Sequence, residues 1–216
     1  MMDSEIAIVS TGTANLASVS AAFERIGYDP RIVDVPSDVR SGDRLVLPGV
    51  GSFATGMNAI TANRWADYLQ ERYAADQATL SICLGMQMLG QGSEEAVNIN
   101  GVGILPVHAT RFPDQVTTPQ LGWNRVTSVG ELLEDGFAYF ANSYSFKDVT
   151  TLTRAGWNVS TAEHGVEFVA AIQKGQWLAC QFHPELSGKF GLRLLQKWIG
   201  RCDADVDGSQ KRGATC

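Results

Sequence analysis

Runs in which every position is apolar alternate along this chain with stretches in which apolar residues recur every three or four positions. IAIVS (6–10) is such a run, and in TGTANLASVSAAFERIGY (11–28) Leu16, Val19, Phe23 and Ile26 fall at helical spacing after a tight turn. RIVDV (31–35), RLVLPGVGS (44–52) and TLSIC (79–83) predict further strands. MNAITANRWADYLQERYA (57–74) predicts one amphipathic helix, and LGMQMLGQGS (84–93) the helix that TLSIC enters. Strands that are apolar on both faces, each followed by a helix, predict an α/β domain with a mainly parallel central sheet flanked by helices.

After about Gly92 the pattern shortens. GVGILPVHATRF, GWNRVTSV, FAYFANSY, LTRAGWNVS and EFVAAIQKGQWLACQFHPE alternate like hairpin strands, so the second half is expected to be strand-rich and joined to the same sheet. GKFGLRLLQKWIG (188–200) closes the fold as an amphipathic helix. A single domain over 5–200 is expected, with the polar tail 201–216 frayed.

Composition narrows the function classes. The 216 residues carry a formal charge of −6 without a lysine or arginine run, which argues against nucleic acid as a partner because phosphate binding needs concentrated positive charge. The opening residues lack the features of a secretory leader, and no apolar stretch is long enough to cross a bilayer. Cys83, Cys180, Cys202 and Cys216 show neither CxxC pairing nor a zinc-like spacing with histidine, so no metal or other cofactor is expected. A reducing cytoplasm is the simplest setting, with a small molecule or a protein as the partner.

Cys83 ends a predicted strand and begins a predicted helix, with Ser81 and Gly85 two positions to either side. A side chain at such a corner projects from the end of the sheet, and the amides opening the next helix favour a thiolate there. A buried free cysteine at a strand end would fit the same corner. A nucleophilic thiol also needs a base, and the base needs an acceptor that holds one tautomer. Of the three histidines His183 stands apart, since Glu185 would share its side of an extended QFHPE segment, whereas His164, although next to Glu163, is expected on a solvated turn. His108 has no neighbouring acid.

These residues resemble the class I (triad) glutamine amidotransferases, in which a cysteine elbow is followed much later by a His-Pro-Glu motif. Within that class TGTANLASV, LPGVGSFATGM, CLGMQMLG with SEE after it, PQLGWN, YFANSY and QFHPE are most similar to the glutaminase subunits of imidazole glycerol phosphate synthases. The likeness runs from residue 9 to about 199. It implies hydrolysis of L-glutamine to glutamate and ammonia, with ammonia passed to a barrel-type cyclase subunit in a heterodimer. By the same likeness, Cys83 attacks the side-chain amide, His183 moves protons and Glu185 orients His183. Gly49, Val50 and the amide of Leu84 would serve the oxyanion, while Gly51, Gln87, Ser143 and Tyr144 would hold the substrate. Asn15, Trp123, Tyr139 and Leu186 would face the partner, although Asn15 also suits a helix cap and Trp123 a core position.

Three positions depart from the family pattern. Ser81 replaces the glycine that usually opens the elbow, Asn142 replaces a histidine in the YFxHSY segment, and Leu186 replaces the lysine or arginine after HPE. The last removes a cation from the expected partner face. A paralogue supplying ammonia to another synthase, such as one that amidates surface sugars, and a catalytically silent regulatory subunit therefore remain open readings. A thiol hydrolase of the peptidase or isomerase kind is the less favoured alternative, given Gln87, Ser143 and Tyr144.

Overall fold

Every residue of IAIV, RLVLPG and TLSIC is buried, and burial on both faces places these runs inside one sheet. The computed structural model describes residues 5–12 and 14–212, with side chains described as far as Cys202. In chain order the first half is β1 (Ile6–Val9), α1 (Leu16–Glu24), β2 (Arg31–Val33), β3 (Arg44–Gly49), α2 (Phe53–Ala62), α3 (Trp65–Ala74), β4 (Thr79–Cys83) and α4 (Leu84–Met88). The second half is β5 (Gly92–Ser93), β6 (His108–Arg111), β7 (Gln120–Val126), β8 (Gly136–Asn142), β9 (Tyr144–Ser145), α5 (Val149–Arg154), β10 (Asn158–Glu163), β11 (Glu167–Lys174), β12 (Trp177–Cys180) and α6 (Gly188–Arg212).

The seven-stranded sheet has the order β10-β11-β12-β4-β3-β1-β2. Pairing is parallel from β12 across to β2, and antiparallel only where β11 meets β12 and β10. Side chains alternate between two cores, as a strand's two-residue period requires. Ile6, Ile8, Val46, Leu80 and Leu178 join Phe23 of α1 and Leu194, Leu195 and Trp198 of α6 on one face. Ala7, Val9, Leu45, Leu47 and Trp177 join Phe53, Ile60, Leu69 and Leu84 on the other. Both faces of the sheet are thus covered by helices, and the C-terminal ends of β3 and β4 lie side by side, where ligands bind in such folds.

Four expectations are corrected. The helix predicted over 57–74 is two helices, because Arg64 adopts a left-handed conformation (φ 60°) that ends α2 and redirects the chain. The redirection buries Trp65, whose indole N–H donates to the carbonyl of Asp34 at 3.1 Å. The helix after Cys83 has only five residues and ends before Gly90, whose added Cβ would lie 2.8 Å from the carbonyl oxygen of Val107.

Only part of the strand-rich half joins the main sheet. β10–β12 do, whereas β7 and β8 form their own antiparallel ribbon and β5, β6 and β9 a small third sheet. The ribbon has a buried side carrying Val126, Ala138 and Phe140 and an exposed side carrying Leu121, Trp123 and Phe137, so it lies over the core as a lid and cannot be an inner strand pair. Finally, α6 continues past Gly200 to Arg212, through a segment with no proline and a single glycine to interrupt it. The last four residues of the tail expected to be frayed lie outside the described residues. Among the described residues, no helix is long and apolar enough to cross a membrane and no cluster of side chains could hold a metal ion.

Ser81 sits fully buried in the middle of β4, and its hydroxyl has no hydrogen-bond partner among the described residues. Leaving a hydroxyl unsatisfied in the interior costs about 1 kcal/mol or more. Ser81→Ala is therefore expected to raise the stability of the fold by about 1 kcal/mol, read as a higher denaturant midpoint. A lower midpoint would mean that the hydroxyl is satisfied after all.

Candidate active site

β4 delivers Cys83 to the end of the sheet in a backbone conformation (φ 54°, ψ −111°) that non-glycine residues rarely adopt. The turn is this sharp because α4 starts at the next residue and packs its first turn onto the end of β3. A side chain at Gly85 would place its Cβ 2.1 Å from the carbonyl oxygen of Leu47, and one at Gly49 would come within 2.9 Å of the Gly85 nitrogen. The small residue two after the cysteine is thus required by the approach of two backbones. Ser81 does not add strain, since it is an ordinary strand residue paired with Leu47 and Ala179. Because α4 is a single turn, the field at Cys83 reduces to the few amides opening that turn, less than a long helix would supply.

Sheet register sets Gly49 directly opposite Cys83, which brings the loop Val50–Gly51 beside the sulfur. Val50, Gly51, Cys83, Leu84, Gln87, Ala141, Asn142, Ser143, Tyr144 and His183 line a cavity of about 210 Å³, together with Glu95 and Pro119. The candidates for nucleophile, base, oxyanion loop and substrate holding converge there, with Gly49 behind the wall. A larger cleft of about 420 Å³ opens among Arg40, Asp43, Arg44 and Arg72, beside the N-terminal starts of β3 and β4. No histidine lines it, so it lacks a base paired with a nucleophile.

His183 and Glu185 meet as expected, but by a different route. The chain leaves the extended form at His183 and enters a 3₁₀ turn, Pro184–Leu186, which curls the carboxylate back to the ring. Oε1 of Glu185 accepts from Nδ1 at 2.8 Å, with both side chains nearly buried. A carboxylate can only accept here, so Nδ1 carries the proton and Nε2 is left to exchange protons with the cavity. The backbone of His183 is tied to β8: its N–H donates to the Tyr139 carbonyl at 2.9 Å. Ser187 closes the ring, its Oγ donating to the His183 carbonyl at 2.6 Å and accepting from the Tyr139 N–H at 3.0 Å. Burial pulls the His183 pKa down, but hydrogen bonds and charge from Cys83 and Glu185 outweigh it and raise it from 6.5 to about 10. The charged imidazolium is thus favoured at a ring held between Cys83 and Glu185.

The sequence reading gives no role to two residues at the site, Glu95 in the cavity lining and Gln181 against the Cys83 sulfur. Glu95 lines the cavity while its Oε2 accepts from the N–H of Phe53 at 2.9 Å, which places a carboxylate where a ligand's ammonium group could pair with it. Gln181, fully buried, donates from Nε2 to the sulfur of Cys83 at 3.7 Å. The expected partner-facing residues lie outside the cavity. Trp123 is 58 % exposed and stacks edge-on with Tyr139 at 6.3 Å, Leu186 is 43 % exposed, and α1 packs against the turn that carries Leu186. Asn15 caps α1, accepting from the Ser18 N–H at 3.2 Å, and is itself exposed. His108 is exposed on β6, and His164 sits in the β10–β11 turn with Nε2 2.8 Å from the Thr117 carbonyl oxygen.

Comparison with known proteins shows the family of the chain. A family model described as "Glutamine amidotransferase class-I" matches residues 4–199. The chain is 35 % identical over 201 residues to "Imidazole glycerol phosphate synthase subunit HisH" of Escherichia coli (strain K12), covering 90 % of this chain and 98 % of that protein. It is 33 % identical over 204 residues to "Imidazole glycerol phosphate synthase hisHF, chloroplastic" of Arabidopsis thaliana, covering 91 % of this chain and 34 % of that longer protein. A crystal structure of a glutamine amidotransferase shares the fold with a TM-score of 0.72 at 20 % identity, covering 91 % of this chain and 98 % of that one.

Two outcomes are expected. Gly85→Ala forces a Cβ against a backbone oxygen and should destabilise the fold by about 3 kcal/mol, measured by denaturant unfolding. His183 has a raised pKa in the fold, so its charged form stabilises the protein fully below the ordinary histidine value, and that contribution fades as pH climbs through about 10. The stability difference between the wild type and His183→Gln should accordingly shrink between neutral pH and pH values past 10.

Proposed function

The chain belongs to the class-I glutamine amidotransferase family, and we propose on that premise that the Cys83 cavity hydrolyses L-glutamine and delivers the ammonia to a partner synthase. The observation that carries the reading is the convergence of Cys83, at a strained strand end, with the His183–Glu185 pair in one cavity beside the Val50–Gly51 loop. Cys83 Sγ attacks the side-chain carbonyl carbon of glutamine, and the oxyanion that forms lies by the amides of Val50 and Leu84. His183 gives its proton to the leaving nitrogen as the C–N bond breaks, releasing ammonia and leaving a glutamyl thioester. It then takes a proton from water, whose oxygen attacks the thioester; the C–S bond breaks and glutamate leaves. Glu185 keeps the ring in one tautomer throughout.

The amino-acid end of glutamine carries both charges. The Glu95 carboxylate suits the α-ammonium, and Gly51, Gln87, Ser143 and Tyr144 wall the space around it. Partner docking falls to the exposed ribbon face of Trp123 and Tyr139 together with Leu186 and Asn15. This face lies next to the cavity wall: Tyr139 pairs through its backbone with His183, and the Ala141 carbonyl lies 3.9 Å from the Cys83 sulfur. The synthase named by both relatives, imidazole glycerol phosphate synthase, is the acceptor enzyme this reading favours, and on that reading the chain acts in histidine biosynthesis. The longer Arabidopsis protein supports a two-part enzyme in which this chain supplies one part. Leu186 favours a second reading, in which the partner is another synthase with an apolar surface opposite that position.

Glutamate release from glutamine, measured alone and with a cyclase subunit plus its ligand, tests the proposal. Cys83→Ala should lower turnover by a factor on the order of 10⁴ while leaving the fold intact. Trp123→Ala should spare basal hydrolysis but weaken association with the partner roughly tenfold or more. Stimulation by the cyclase supports the histidine-pathway assignment, and its absence with basal hydrolysis intact points to the second reading. No hydrolysis under either condition would leave the silent-subunit reading.

A further inference from the structure

The sulfur of Cys83 has a neighbour whose chemistry the triad leaves unused. Gln181 is wholly buried, follows β12 directly, and stands two residues before His183. Its main-chain N–H donates to the Ala170 carbonyl at 2.8 Å, so its position is set by the sheet. From there its side chain reaches between Gln87 and Cys83.

The direction of every hydrogen bond in this row follows from one fixed end. The main-chain carbonyl of Tyr144 can only accept, so Gln87 turns its amide nitrogen toward it, at 2.9 Å. That same nitrogen donates to Oε1 of Gln181 at 3.0 Å. Gln181 must therefore present its own amide nitrogen on the other side, where it donates to Cys83 Sγ at 3.7 Å. Turning Gln181 over would set its NH2 against the NH2 of Gln87, losing that bond in a site shielded from water, and would face a thiolate with an oxygen instead of a donor. On the sulfur's other side lies an acceptor, the Ala141 carbonyl at 3.9 Å, which suits an S–H.

We propose that Gln181 is a further catalytic residue: its side-chain amide, polarised by the Gln87–Tyr144 row, donates to the Cys83 thiolate and holds the sulfur in its attacking position. This deepens the amidotransferase reading above and rests on Cys83 being the nucleophile. Being neutral, the amide favours the anion without titrating itself, so proton transfer stays with His183. The row also gives Gln87 a second task. A residue that walls the cavity sets, through Gln181, the donor that faces the nucleophile.

The test is the pH dependence of Cys83 alkylation by iodoacetamide, which needs no glutamine, in the wild type and in Gln181→Met. Methionine keeps the length and loses the donor. The proposal expects the midpoint of the alkylation profile to rise by about one pH unit, equivalent to about a tenfold slower reaction below the midpoint. A purely structural role for Gln181 would lower the unfolding midpoint and leave the profile in place, and that result overturns the proposal. Should the variant fail to fold, the wild type labelled with ¹⁵N-glutamine answers instead. One slowly exchanging carboxamide signal should titrate with the alkylation profile and cease to do so in Cys83→Ala; the absence of any such signal overturns the proposal. Glutamate release is assayed separately, so loss of the amidotransferase reading and loss of the Gln181 role give different results.

Discussion

Cys83 is held in an unfavourable backbone conformation by the contact of two main chains, the start of α4 and the end of β3, with Gly85 against the carbonyl of Leu47. Strain of this kind costs about 1–3 kcal/mol and persists only where surrounding structure leaves no alternative. Here β4 is flanked by β3 and β12 in parallel register, every one of its residues is buried, and Leu80 and Ile82 anchor it in the core beneath α1 and α6. The sheet thereby drives the thiol out of its end. The same register sets the Gly49–Gly51 loop on one side of the sulfur and the segment after β12, with Gln181 and His183, on the other.

The second constraint is the tie between that segment and the β7–β8 ribbon. The main chain of Tyr139 accepts from the His183 N–H and donates to the Ser187 hydroxyl, while its ring stands on the exposed ribbon face with Trp123. A protein docked on this face would press on a strand that carries the backbone of the proposed base on one residue and the wall of the cavity on Ala141 and Asn142. Communication between docking and hydrolysis then needs no long path, only a small displacement of β8. Leu186 sits on the turn that positions Glu185, so the position proposed for docking lies one residue from the proposed triad acid.

Much of this was legible in the chain. Fully apolar runs such as IAIV and TLSIC revealed the parallel strands because burial on both faces removes alternation. The Cys83 corner and the His183–Glu185 spacing pointed to the end of the sheet where these three side chains meet. Other features depend on contacts that no local pattern carries. The break at Arg64 is driven by the burial of Trp65 beneath Asp34, some thirty residues earlier. The ribbon leaves the sheet because one of its faces is apolar yet exposed, which in sequence looks the same as an inner strand. His183 and Glu185 were paired by strand alternation, yet a 3₁₀ turn beginning at Pro184 joins them; proline at the first position of a helical turn was the available signal. Gln181 stood inside the QFHPE motif, but its role depends on Gln87, 94 residues away.

The central claim is that Cys83 becomes covalently joined to glutamine in the cavity it shares with His183. Rapid acid quenching of the chain during turnover, followed by mass spectrometry of its peptides, tests this directly. The account predicts one glutamyl group on the peptide bearing Cys83, appearing with glutamine and absent from Cys83→Ala. Glutamate formation without that adduct accumulating under any quench time, or an adduct on the peptide of Cys180 or Cys202 instead, would contradict it.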